Sequence, residues 1–243
     1  MIFRRWAPKR RATMTECDPK AMKKAAAEKA VDEYVKDGMT VGLGTGSTAY
    51  FAIMRVAELV KQGYRLKCVA TSQQTEDIAV ENGIEVVDIN DVDYIDVTID
   101  GADEVDPKLN LIKGLGGALL REKIVAAATQ MEVIVVDESK IVESLGVKTS
   151  LPVEVCRFGH VRTAYGLKLQ GCEPVLRMKG GEPFVSDGGN YIYDCKFPQI
   201  DKPFFLQSAI DTIPGVVECG LFLNMAAAAV VAHKDGTVTE MKC

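Results

Sequence analysis

Segments of strand period and helix period alternate along this chain from Pro19 to about Leu151, and that alternation limits its fold more than any other feature. "PKAMKKAAAEKAVDEYVKDG" reads as a helix rich in Ala, Lys and Glu that stops at Gly38. "MTVGLGTGSTAYFAIMRVAELVKQG" gives a short strand, a glycine turn and an amphipathic helix. "YRLKCVATS" is a strand, "QQTEDIAVENG" a short helix and "IEVVDIN" a further strand. In "YIDVTID", Ile95, Val97 and Ile99 alternate with Asp96, Thr98 and Asp100, which is strand period. "ALLREKIVAAATQ" reads as a helix, "MEVIVVDES" as a buried strand and "KIVESLG" as a short helix. Repeated β-α units predict an α/β fold, a parallel sheet with helices on both faces. Ligands of such sheets bind beyond the carboxyl ends of the strands.

From about Leu151 the rhythm changes. "PVEVCRF", "GHVRTAYGLKLQG", "EPVLRMK", "PFVSDGGNYIYDCKF", "KPFFLQSAIDTIPG" and "VVECGLFL" run β-α-β-β-α-β, the ferredoxin-like order, with a turn at "DGGN". The closing "NMAAAAVVAHKDGTVTEMK" is too small to stand alone and is expected to return to the first unit. The expected division is therefore a Rossmann-like catalytic domain over 14–147 and 220–243, with a smaller lid domain over 148–219. "MIFRRWAPKRRAT" carries five cationic residues and no acid. It lacks the apolar stretch of a secretory signal. Residues 1–13 read as a disordered tail, or as an upstream start with Met14 the true first residue, ahead of a targeting segment.

Charge and composition exclude several classes. The chain has 243 residues and a net charge of -5, so it lacks the basic footprint of a nucleic-acid binder. No run of about 18 apolar residues exists, so no membrane span is expected. The 7 cysteines are dispersed and unpaired in sequence, as in a reduced cytoplasmic protein. Only His160 and His233 are present, which argues against a structural zinc site.

In "VGLGTGST" the glycines Gly42, Gly44 and Gly46 lie between a strand and a helix. Glycine admits close backbone approach, and helix N-terminal amides favour a phosphate. Thr45, Ser47 and Thr48 add hydroxyls. The spacing is not G-x-G-x-x-G, and the next strand, "CVATSQQT", ends without an acid, so a dinucleotide is disfavoured. A plain tight turn with a capping hydroxyl is the bland alternative.

"DGADEVDPKLNLIKGLGGALLREKI" holds the remaining chemistry. Asp100 ends a strand at the ligand edge, Gly101 and Ala102 keep the backbone small, and Asp103 turns back to the same mouth. Lys113 precedes the glycine run Gly114-Leu115-Gly116. Glu122 stands one turn into the next helix, with Ala118 and Ala126 on its i±4 line. Taken singly these are an Asx turn, a solvated lysine and a first-turn acid. Together they supply a general base, a cation for an oxyanion and a carboxyl to move protons between neighbouring oxygens.

At this point the chain resembles the type A ribose-5-phosphate isomerases. "GLGTGSTA", "DGADEV", "IKGLGGALLREKI", "VVDESK", "LPVEV", "SDGGNYIYD" and "IPGVVECGLF" are similar to that family's successive motifs, in order and spacing, from about residue 20 to the end. The resemblance implies a Rossmann-like domain with a ferredoxin-like lid. It implies interconversion of D-ribose 5-phosphate and D-ribulose 5-phosphate without metal or organic cofactor, in a homodimer or homotetramer. It assigns the base to Glu122, and it lines the substrate site with Thr45 to Thr48, Asp100 to Asp103, and Lys113 to Gly116. Lys140 of "DESK" becomes a further substrate contact whose charge suits a phosphate. Rival readings are an amino-sugar-phosphate isomerase-deaminase, a CoA-transferase, or a non-catalytic sugar-phosphate sensor. The sensor would need a DNA-binding module, and too few residues precede the first helix to build one.

Overall fold

The computed structural model describes residues 18–242. The basic segment 1–13 and Met14 lie outside the described residues. In chain order the elements are α1 (Pro19–Tyr34), β1 (Thr40–Leu43), α2 (Ala49–Lys61), β2 (Lys67–Ala70), α3 (Gln73–Glu81), β3 (Ile95–Asp100), β4 (Glu104–Val105), β5 (Leu111–Ile112), α4 (Leu119–Ala127) and β6 (Thr129–Asp137). There follow β7 (Leu151–Val155), α5 (His160–Lys168), β8 (Glu173–Leu176), β9 (Met178–Lys179), β10 (Glu182–Pro183), β11 (Tyr191–Lys196), α6 (Pro203–Asp211), β12 (Val216–Cys219), β13 (Leu221–Phe222), β14 (Ala226–Ala232) and β15 (Val238–Lys242).

Local chemistry explains the helix starts. Asp18 caps α1 by accepting from the Lys20 N–H, with Pro19 in the first turn where no N–H is needed. Ser72 caps α3 by accepting from the Thr75 N–H. In α2, Ala49, Ala52, Ile53, Val56 and Leu59 form one buried stripe. Each large aliphatic side chain there contributes roughly 1.5–3 kcal/mol by leaving water.

Six strands make the main sheet, in the order β15-β14-β6-β3-β1-β2. All neighbours run parallel except the edge hairpin β14–β15, in which the closing segment returns to this sheet. Val41, Leu43, Val97, Ile99, Val133 and Val135 share a core with α1 and α2 on one face. Ile134 and Val136 share another with Ala126 of α4 and with Leu111 and Phe222 of the small sheet β13-β5-β4. Strand order reverses at β1, with β2 on one side and β3 on the other. The crevice beyond the ends of β1 and β3 is where such sheets bind ligands.

The segment 151–219 forms a four-stranded antiparallel sheet, β12-β7-β11-β8, with its own core against α5 and α6. That is the order expected of a ferredoxin-like unit.

Four expectations are corrected. "VVECGLFL" is not one strand: it splits at Gly220 into β12 of the four-stranded sheet and β13 of the small sheet, because the Gly220 N–H donates to the Pro152 carbonyl and Leu221 turns to pair with β5. "IEVVDIN" makes only a parallel bridge, Val86 to Cys68, because the Asp88 carboxylate accepts from the Asn90 N–H and turns the chain into a short 3-10 segment. "KIVESLG" is not a helix. After a 3-10 turn at Glu138–Lys140 the chain makes single bridges at Ile141 and Leu145 between bends, because Val142 and Leu145 must reach the second core and the buried Glu104 carboxylate accepts the N–H groups of Gly146, Lys148 and Thr149 at 2.6–2.7 Å. "EPVLRMK" is broken at Arg177, so that β9 leaves the four-stranded sheet and pairs with β10.

Candidate active site

Gly42 and Gly44 are required by the neighbouring strand. A Cβ on Gly44 would stand 2.1 Å from Asp100 Oδ1, and one on Gly42 would stand 1.9 Å from Thr98 Oγ1. The glycine turn therefore lets Asp100 fold across the end of β1. Asp100 Oδ1 accepts from the Thr45 N–H (3.1 Å) and the Gly101 N–H (2.7 Å). Asp100 Oδ2 lies 3.0 Å from Lys113 Nζ.

Lys113 is 2% exposed, held by the Gly220 carbonyl on its backbone N–H. Its ammonium also donates to the Gly101 carbonyl (2.5 Å) and to Glu122 Oε1 (3.1 Å). A buried ammonium is costly unless its protons are taken up, and here two carboxylates and a carbonyl surround it. Burial pulls its pKa down, but the charges of Asp100 and Glu122 together outweigh it and the net shift is upward. Glu122 comes from the first turn of α4 and is also buried; its Oε2 makes no hydrogen bond. Burial pushes its carboxyl up to about 8, against the pull of Lys113. Burial also raises Asp103, opposed by the Leu115 N–H that donates to its Oδ2 at 2.9 Å.

These groups open onto a cavity of about 250 Å³. Thr45, Gly46, Ser47, Thr48, Gly101, Ala102, Asp103, Lys113, Gly114, Gly116, Glu122 and Lys140 all line it, which brings together nearly every residue expected from sequence. Two differ. Asp100 does not line the cavity; it is buried behind it, holding the lining residues Thr45, Gly101 and Lys113. Leu115 turns its side chain outward, 42% exposed, and contributes its N–H to Asp103 instead of a wall. The Thr45 hydroxyl also points away from a ligand, into a hydroxyl cluster with Thr71, Ser72 and Thr75.

Sequence reasoning missed Lys23. It lines the cavity from α1 and donates to Ser47 Oγ at 2.9 Å. Lys23 and Lys140 put two cations on the same lining as Ser47 and Thr48 at the N-terminus of α2, a setting suited to a phosphate. Nothing in the spacing of α1 marks Lys23 out from its neighbours Lys20 and Lys24.

Glu132 was missed as well. It is 2% exposed on β6, paired with Thr98 and on the face that carries Asp100, and neither carboxylate oxygen has a partner. Burial, with Asp100 adding to it, holds its pKa well above the ordinary value of 4.5. Such a group keeps a proton in the folded state that the unfolded chain has released, so stability falls as pH rises from about 4.5 toward the folded value. Glu132→Gln lacks this liability. Its melting temperature relative to the native chain is expected to climb steadily in scans from about pH 5 to about pH 8. A difference that does not change with pH would show that Glu132 is not buried as an acid.

A sheet-edge cavity that holds a buried carboxylate–lysine pair and two further lysines, Lys23 and Lys140, is the kind of site a proton-transferring enzyme of small sugar phosphates has. The family model of ribose 5-phosphate isomerase A (phosphoriboisomerase A) matches residues 67–236. The ribose-5-phosphate isomerase A of Gloeobacter violaceus is 52% identical over 216 residues, covering 88% of this chain and 94% of that protein. The solved ribose 5-phosphate isomerase of Plasmodium falciparum superposes with a TM-score of 0.90 at 40% identity, covering 92% of this chain and 99% of its own. A D-ribose-5-phosphate isomerase solved in complex with phospho-erythronic acid also gives 0.90, at 38% identity, covering 93% and 100%. The chain belongs to the ribose-5-phosphate isomerase A family.

Proposed function

We propose that the chain interconverts D-ribose 5-phosphate and D-ribulose 5-phosphate, the isomerisation of the non-oxidative pentose phosphate pathway, by moving one proton on Glu122. The observation that carries this is Glu122 Oε1 at 3.1 Å from the buried Lys113 ammonium, on the wall of a cavity that Lys23 and Lys140 also line. In the open-chain aldose, the C1 carbonyl acidifies the proton on C2. Glu122 takes that proton, leaving a cis-enediolate, and returns it to C1. Lys113 offsets the oxyanion as it forms. Net conversion also needs a proton to pass from O2 to O1. Asp103 suits that relay, because it lines the cavity while Asp100 is committed to Lys113, Thr45 and Gly101. Ser47, Thr48, Lys23 and Lys140 hold the phosphate. Both electrons of the broken C–H bond stay with the substrate, so no redox cofactor enters.

Lys113 supplies the positive charge that a metal would otherwise bring to the oxyanion. A coupled assay with ribose 5-phosphate tests the whole reading, and EDTA treatment is expected to leave the rate within about twofold of untreated enzyme. Activity lost to EDTA and restored by magnesium would recast Asp100 and Asp103 as metal ligands.

The catalytic unit proposed is 14–147 with 220–243, and 148–219 is its lid. Support comes from the four-stranded sheet's distinct core, which Ile112, Val142, Leu145 and Leu221 of the first unit enter, and from Phe184, which packs where a Cβ on Gly117 would stand. The assembly proposed is a homodimer or homotetramer. Val161 and Tyr165 on α5, with Phe158 just before it and Leu169 just after it, expose apolar side chains suited to cover by a second copy. Light scattering that reports a monomer at micromolar concentration would refute it. Five free thiols among the described residues fit a reducing, cytoplasmic setting, which cell fractionation tests.

A further inference from the structure

One side chain of the second sheet reaches into the substrate loop. Arg177 stands in the break between β8 and β9. Its Nε and Nη2 donate to the two oxygens of Asp194 on β11, at 3.0 and 2.5 Å, a fork-to-fork pair. Its Nη1 donates to the carbonyls of Gly114 (3.0 Å) and Leu115 (3.1 Å). The guanidinium carbon also lies 5.8 Å from the centroid of the Phe184 ring.

The loop so held begins at Lys113. Gly114 and Gly116 wall the cavity, and the Leu115 N–H is the donor to Asp103. Gly114 has φ +103 and Gly117 φ +88, conformations that leave the loop little intrinsic stiffness, since glycine reaches them and many others. Contacts from outside the loop must fix it, and besides Asp103 and Phe184 the hydrogen bonds that do so come from about 60 residues downstream.

We propose that Arg177 is a positioning residue for the isomerisation: anchored by Asp194, it fixes the Gly114–Gly116 loop, and through the Leu115 N–H it fixes the Asp103 carboxyl against the substrate. The proposal rests on the isomerase reading of the cavity. An arginine is needed because one planar group must satisfy a carboxylate on one edge and two adjacent carbonyls on the other. A lysine ammonium is a single point and cannot span both.

The test uses the full chain with Arg177→Met and Arg177→Lys. kcat and KM for ribose 5-phosphate are measured against pH, and amide hydrogen exchange of residues 114–117 is measured without substrate. Arg177→Met is expected to lose about 10²-fold in kcat/KM, the scale set by displacing a catalytic group by about 1 Å. Arg177→Lys is expected to recover only a small part, although it keeps the charge. Added guanidinium should restore part of the Met variant's turnover, and the Leu115 amide should exchange faster in both variants. A role confined to tethering the two sheets would lower the melting temperature and leave kcat, KM and the pH profile of the folded enzyme unchanged. That result, or full activity in Arg177→Lys, overturns the proposal. If the Met variant does not fold, the Lys variant carries the test alone. Native enzyme without turnover on ribose 5-phosphate would instead refute the isomerase reading, and the exchange of Leu115 would still report whether Arg177 holds the loop.

Discussion

Glu122→Gln is expected to keep the fold and bind ribose 5-phosphate while losing turnover by about 10²–10⁴-fold or more, the usual worth of a general base. The amide preserves the shape of the side chain and its contact with Lys113, and it removes only the ability to accept a proton. Steady-state kinetics beside calorimetric titration check this, and native-like turnover in a clean preparation would sink the assignment. The native enzyme should also show the titration of this group. Its carboxyl is pushed up to about 8 by burial, and the ionised form is the base. kcat/KM is therefore expected to rise with pH through that region and then level off. Solvent deuterium should enter the product wherever the protonated glutamate exchanges before returning its proton. An acid limb set near the ordinary carboxylate range would mean that another group takes the proton.

Lys113→Met is expected to damage both activity and stability. Its ammonium is the counter-charge for Asp100 and Glu122, which are themselves almost wholly buried. Leaving a buried ion without its partner costs about 3–5 kcal/mol, and removing an oxyanion stabiliser costs about 10²–10³-fold in kcat. The stability loss should be larger at about pH 8 than at about pH 5, because protonation at low pH relieves the uncompensated carboxylates. Chemical denaturation at the two pH values measures it. A loss that does not vary with pH would point to lost packing over Phe222, 5.4 Å from Nζ, instead of lost charge.

The features that were legible in the sequence are local ones. Val41 and Leu43, or Ile95, Val97 and Ile99, alternate on one strand, and Ala52, Ile53, Val56 and Leu59 repeat on one helix. Period alone separates those patterns, because a strand repeats every two residues and a helix every 3.6. The approach of Asp100, Asp103, Lys113 and Glu122 was legible for a related reason. They are close in sequence, and short connections at a strand end leave them few places to go. Where local signals failed, a distant partner decided. "KIVESLG" has a helix-compatible pattern, but Glu104 takes the Gly146 N–H and those of Lys148 and Thr149 just after it, and the second core takes Val142 and Leu145.

Local chemistry written into the chain gives the β-α alternation, the glycine turn, the two-acid turn, and a carboxylate one turn into the helix after the lysine. Long-range contacts in the folded molecule supply the rest. Asp100 anchors Lys113, Lys23 reaches the cavity from 24 residues before Ser47, Glu132 lies buried without a partner, and Arg177 grips a loop 62 and 63 residues away. The physical reason is the same for each. A charge's role depends on its desolvation and on what stands within about 3 Å of it, and both are set by contacts between segments whose separation along the chain carries no periodic signal.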